Sequence, residues 1–166
     1  MQHEPFKNRK ERLAELLVKN KIRLARNAAK EWYQNKLGYH LTAEQFLDFD
    51  ASQRLLAEVY RKVRTLQKKK SLVATDFQNV LSILNDLKQK RKNLDEVSVI
   101  FYYLDTTKVG GIKIKFKEFW NLLEKIGSHP RTDIIVIDEN LAFGICIEIE
   151  EYNYLLTVWG LDEEND

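Results

Sequence analysis

Residues 142–159 read AFGICIEIEEYNYLLTVW, and the way this stretch pairs with itself decides the fold. With Glu151 and Tyr152 as the turn, Ile149 faces Tyr154, Ile147 faces Leu156 and Ile145 faces Val158, so one side of the hairpin is continuously apolar. The other side pairs Glu150 with Asn153, Glu148 with Leu155, Cys146 with Thr157 and Gly144 with Trp159. Side chains alternate along a strand, so a slip of one residue would mix the two sides, and burial selects this register. Glu-Tyr is an unusual two-residue turn, because the preferred hairpin turns need positive φ. A longer loop is the alternative.

Upstream of the hairpin the same period recurs. DIIVID at 133–138, IKIKF at 112–116 and VSVIFYYL at 97–104 are rich in β-branched and aromatic residues, which predicts five strands in all, mainly antiparallel. Lys113 and Lys115 mark a wet side. DTTKVGG reads as a turn. Between the second and third strands, KEFWNLLEKIG places Phe119, Trp120, Leu123 and Ile126 at helical spacing, with Gly127 as the stop, and predicts one inserted short helix.

Before Asn93 the period is helical. Leu13, Leu16, Leu17, Leu24, Ala28 and Trp32 recur at three- and four-residue steps over residues 11–36. Gly38 ends that run, and Thr42 with Gln45 forms a capping-box start for a second helix reaching Lys68. Thr75 or Asp76 caps a third, whose inward face is Phe77, Val80, Leu81, Leu84 and Leu87. The expected fold is therefore α+β in one domain: a helical layer over residues 1–92 with three helices, a five-stranded sheet layer over 93–160, and an acidic tail at 161–166.

The chain has 166 residues, 44% apolar and 31% charged, enough to bury a core without disulfides or metals. No window approaches the roughly 18 apolar residues of a spanning helix, and no secretory signal is visible. We expect a cytoplasmic protein with no membrane partner. The single cysteine, Cys146, lies between isoleucines and reads as a packed thiol.

The formal net charge of +2 hides a division. Residues 1–92 hold 21 Lys plus Arg against 10 Asp plus Glu, a net +11, whereas residues 93–166 hold 6 against 15, a net −9. From Thr132 onward there are ten acids and no base. That region carries a strong negative field of its own.

Chemistry is harder to find. His3, His40 and His129 have no second ligand at metal-binding spacing, so neither metal nor cofactor is expected. Gly110 and Gly111 sit in a turn without the strand-to-helix setting of a phosphate loop. Glu148 and Glu150 share a strand face, which suits a cation or an acid–base pair but also plain solubility. Two surface readings follow. The basic half, with Arg9, Lys10, Arg23, Arg26, residues 68–70 and 88–92, and Trp32, Tyr33 and Tyr39, offers a footprint for nucleic acid, although no recognition motif accompanies it. The acidic, aromatic end offers steering and anchorage for a basic protein that itself grips nucleic acid. The bland alternative is that rear acids merely balance front bases through weak surface pairs.

The helical, basic front, the segment KEFWNLLEKI and the closing FGICIEIEEYNYLLTVWG together resemble bacterial immunity proteins, the small antitoxins of polymorphic or contact-dependent growth-inhibition toxin systems. The similarity is closest over residues 97–160. It implies a non-enzymatic, cytoplasmic protein that neutralises a cognate toxin domain, frequently a nuclease, by covering its active site or substrate groove. No residue role transfers by motif. Charge and pattern instead nominate Asp138, Glu139, Glu148, Glu150 and Glu151 for complementarity, Tyr152, Tyr154 and Trp159 for anchorage, and Asp162 and Glu163 for steering. The register equally allows Tyr154 to be core.

Overall fold

The computed structural model of the protein describes residues 8–69, 72–127 and 129–161. Their elements run α1 (Arg9–Leu37), a 3-10 turn (Ala43–Gln45), α2 (Phe49–Gln67), β1 (Leu72–Ala74), α3 (Phe77–Lys90), β2 (Ser98–Tyr102), α4 (Thr106–Val109), β3 (Ile112–Lys115), α5 (Phe116–Ile126), β4 (Ile134–Ile137), β5 (Gly144–Ile149) and β6 (Tyr154–Trp159). The strands form one antiparallel sheet in the order β1-β6-β5-β4-β2-β3.

The closing hairpin has the register that burial selects: Gly144 pairs with Trp159, Cys146 with Thr157, Glu148 with Leu155 and Ile149 with Tyr154. The Glu150 N–H donates to the Asn153 carbonyl at 3.0 Å, so the loop is the short one. Glu151 and Tyr152 are not among the residues at positive φ.

The α+β class holds, but the count of five strands, the wholly helical first half and the helix count do not. Among the described residues the sheet has six strands, and the sixth, β1, comes from LVA in the half expected to be wholly helical. Three residues are too few to display a period, and β1 exists because β6 offers it an edge: Leu72 pairs with Leu156 and Ala74 with Tyr154. The DTTKVGG turn contains the single-turn helix α4. The second helix begins later than the Thr42 signal. Thr42 and Gln45 close the 3-10 turn, and Asp48 caps α2 by accepting from the Ala51 N–H at 3.0 Å.

A second correction concerns the sheet's faces. One face meets α3, α5 and the end of α1, where Val99, Phe101, Val136, Ile145, Ile147 and Leu156 pack with Tyr33, Leu37, Phe77, Leu84, Phe119 and Leu123. The opposite face, expected to be partly wet, is covered by α2: Leu56, Val59 and Val63 pack on Ile100, Tyr102, Ile135, Ile137, Cys146 and Trp159. Interior strands closed on both faces need apolar residues at consecutive positions, and IIVI supplies them. Each fully buried aliphatic side chain contributes about 1.5–3 kcal/mol.

Polar ties fix the helices on this sheet. Ser52 of α2 is fully buried; its Oγ accepts the Gly111 N–H at 2.6 Å, and the Tyr102 hydroxyl donates to its carbonyl at 2.8 Å. Arg26 of α1 donates to the carbonyls of Val109 and Leu47 and lies over the Phe46 ring. Lys125 of α5 donates to the Leu37 carbonyl, satisfying the end of α1. No helix among the described residues is long and apolar enough to cross a membrane. Replacing Ser52 by Ala strands the buried Gly111 N–H, and we expect a loss of about 1–3 kcal/mol, read as a lower urea midpoint at unchanged slope.

Candidate functional site

The β5–β6 turn carries the most exposed large side chain with apolar surface, Tyr152, at 85%. Glu150 and Glu151, exposed, precede it. Ile149 is also partly open, and beside the turn runs β1, whose end pairs with the start of β6 and whose Val73 is 62% exposed. Among the described residues, β1's outer edge pairs with no strand. The tip therefore joins negative charge, an aromatic ring and an open sheet edge.

Glu148 stands one step behind. It faces the α2 side of the sheet, where Gln67, in the last turn of α2, donates a hydrogen bond to its Oε2 and a longer one to Thr157 Oγ1. Burial raises the Glu148 pKa above its ordinary value; Gln67 opposes this, while the charges of Asp133 and Glu150 add to the rise. Asp133 precedes β4, and its Oδ1 accepts the Ile149 N–H at 2.9 Å. Tyr60 of α2 is pushed up to about 12, first by burial and then by Asp133. Among the described residues no salt bridge reaches Asp133, Glu148, Glu150 or Glu151. The region is an anionic patch that Arg64 offsets only through its charge at a distance, without an ion pair. Asp133 and Tyr60 belong to it, and sequence reading missed both, because only the β4–β5 pairing and the position of α2 bring them to Glu148.

The other nominated residues are placed elsewhere. Asp138 shapes the β4–β5 turn, its Oδ1 accepting the Phe143 N–H at 2.9 Å. Glu139 is paired with Lys113 at 2.5 Å. Tyr154 packs edge-on against Phe77 and is half-buried. Trp159 is in the core: its indole N–H donates to the Leu141 carbonyl at 3.0 Å, and a Cβ on Gly144 would come within 2.2 Å of its ring. The burial that the apolar hairpin demands takes this aromatic away from the surface. Asp162 and Glu163, with the rest of the acidic tail, lie outside the described residues.

Little here suits catalysis. Cys146 is buried, and burial raises its thiol well above the usual range, the reverse of what a nucleophile requires. Among the described residues no three His, Cys, Asp or Glu side chains are grouped to hold a metal ion. A cleft of about 370 Å³ opens between α1 and the loop before α4, lined by Ala25, Trp32, Asp105, Arg131 and Thr132. Leu104 and Asp105 adopt positive φ beside it. Its lining offers no nucleophile–base pair.

A protein-family model described as "YxiF protein" matches residues 33–159. No curated protein and no solved structure matches the chain.

The Glu148 carboxyl gives a pH signature. Its folded-state pKa lies above the ordinary 4.5, so just above that value the native protein holds a proton the unfolded chain has lost. Stability therefore falls as pH rises through this window and is recovered below it. Glu148→Gln, which keeps an acceptor for Gln67, is expected to raise the melting temperature at neutral pH by about 2 °C. The gain should vanish below pH 4.5. A gain that persists in acid would assign the effect to packing.

Proposed function

From the premise that this chain belongs to the YxiF protein family, we propose that it is an immunity protein, which binds a cognate bacterial toxin domain in the cytoplasm and neutralises it without catalysis. Family membership is consistent with immunity-protein function, and the resemblance of the closing hairpin to such proteins points the same way. The observation that carries the reading is the exposed Tyr152 beside Glu150 and Glu151, with the carboxylates of Glu148 and Asp133 behind it held by hydrogen bonds and reached by no salt bridge among the described residues. Such a surface draws in a cationic partner by its field and then holds it by burying an aromatic ring. A toxin that acts on nucleic acid presents that cationic groove.

The nucleic-acid reading of the basic half is weaker for a specific reason. Several of its cations are engaged within the molecule: Lys88 lies over the Trp120 ring and pairs with Asp95, Arg91 lies over Phe143 and donates to the Gly160 carbonyl, and Arg26 is tied to two carbonyls.

Purification from the native host is expected to bring down one basic polypeptide in equal amount. With that partner, Glu150→Lys combined with Glu151→Lys should slow association about tenfold at about 50 mM salt and much less at about 500 mM. Tyr152→Ala should act on dissociation instead. Unchanged rates in both variants would remove this tip as the binding surface, and retarded migration of duplex DNA or tRNA by the protein alone would favour the nucleic-acid reading.

A further inference from the structure

The first turns of α1 carry a surface that neither the fold nor the proposed inhibitor function uses. Every residue from 9 to 21 is exposed, so the helix stands clear of the body for about 20 Å. It is buried only later, at Ala29, Tyr33 and Leu37. Yet Leu13, Leu16, Leu17 and Leu24 lie on the projecting part at 57, 63, 54 and 53% exposure. Three- and four-residue steps put these four on one stripe. The burial line takes another course: seven residues back from Ala29 is Ile22, half-buried, and further helical steps lead to Glu15 and Glu11. The leucine stripe therefore faces away from the protein, and the two carboxylates lie on the opposite side of the helix.

The charges around the stripe are ordered. Lys10 and Lys21 stand seven residues before and four after Leu17, on one flank; Arg12 and Arg23 stand four before and seven after Leu16, on the other. Cations border the leucine stripe on both sides, Arg9 and Asn20 interrupt it, Arg23 donating to Asn20, and the carboxylates occupy the far face together with Val18. An isolated helical extension of this length is marginal in water. This one has a specified start, since Asn8 and Glu11 exchange hydrogen bonds in a capping box.

From this segregation we infer that the front of α1 is an interfacial helix that docks on an anionic phospholipid surface. The leucines enter the acyl boundary, and Lys10, Arg12, Lys21 and Arg23 reach the headgroup phosphates. Charge complementarity selects this occupant. A second copy laid along the same stripe would bring cationic flanks together, and a nucleic acid would leave four leucines in water. A planar surface also uses only one side of a helix, as the position of Glu11 and Glu15 requires. The sequence argument against a membrane concerns spanning segments, and a helix lying in the headgroup plane needs no such run.

Co-sedimentation of the full-length protein with vesicles tests this directly and involves no toxin. Binding is expected to vesicles containing about 30% phosphatidylglycerol in phosphatidylcholine, not to phosphatidylcholine alone, and to weaken as salt rises from about 50 to about 500 mM. Leu13→Glu with Leu17→Glu should reduce the bound fraction about tenfold while leaving the melting temperature unchanged, because both side chains lie outside the core. Lys10→Gln with Lys21→Gln should lower affinity and flatten its salt dependence. Absence of binding, equal binding to neutral vesicles, or binding unaffected by the leucine pair would overturn the inference. So would a dimer in light scattering that the leucine pair abolishes, which would give the stripe to a second copy.

Discussion

Cys146 and Ile147 are neighbours on β5, they point to opposite faces, and neither reaches water. β4 imposes the same condition four times over, with Ile134, Ile135, Val136 and Ile137 all closed off. A sheet whose inner strands are apolar at every position needs a helical layer on both sides. α2 is one layer, and α3, α5 and the end of α1 form the other. The buried Ser52 contact is a consequence of this arrangement. Once α2 lies across the sheet, its polar groups need partners, and the Gly111 N–H and Tyr102 hydroxyl supply them. The same covering decides which acidic residues keep their charge to the outside.

Long periodic elements were legible in the sequence because their burial is periodic. The hairpin register, the boundaries of α1, α3 and α5, and the inward faces of α3 and α5 need only local spacing, whereas the leucine face of α1 is exposed and Ala29, Tyr33 and Leu37 are buried in its place. Two features were not legible. β1 is defined by its partner rather than by its own three residues, and the covering of the second face depends on where α2 crosses. Cys146 reads as packed from its isoleucine neighbours and is core, whereas Glu148, on the same face and read as exposed, is sheltered by Gln67 at the end of the helix.

The site was partly legible for the same reason. Glu150, Glu151 and Tyr152 occupy a tight turn, where exposure follows from local geometry alone. Trp159 looked like an anchor because aromatic residues near acids suit interfaces, yet its position opposite Gly144 lets the ring fill the space a side chain would have taken. Glu139 lies within reach of Lys113 only because β3 and β4 flank the same strand, β2. No spacing rule contains that information.

The division of charge along the chain bears on whether the anionic end acts outwardly. If rear acids existed to balance front bases, ion pairs should cross between residues 1–92 and 93–166. Among the described residues the pair that does so is Lys88 with Asp95, close to the junction itself. The pairs of Lys113, Lys115 and Lys117 with Glu139 and Glu96 all form within the rear half. These consume rear lysines, so the carboxylates at the hairpin end have still fewer cations available. Arg64, which stabilises the charged form of Glu148, acts without a salt bridge. Arg64 thus brings front-half charge to the hairpin end without closing an ion pair there among the described residues. Carboxylates left without an ion pair keep part of their field in the solvent.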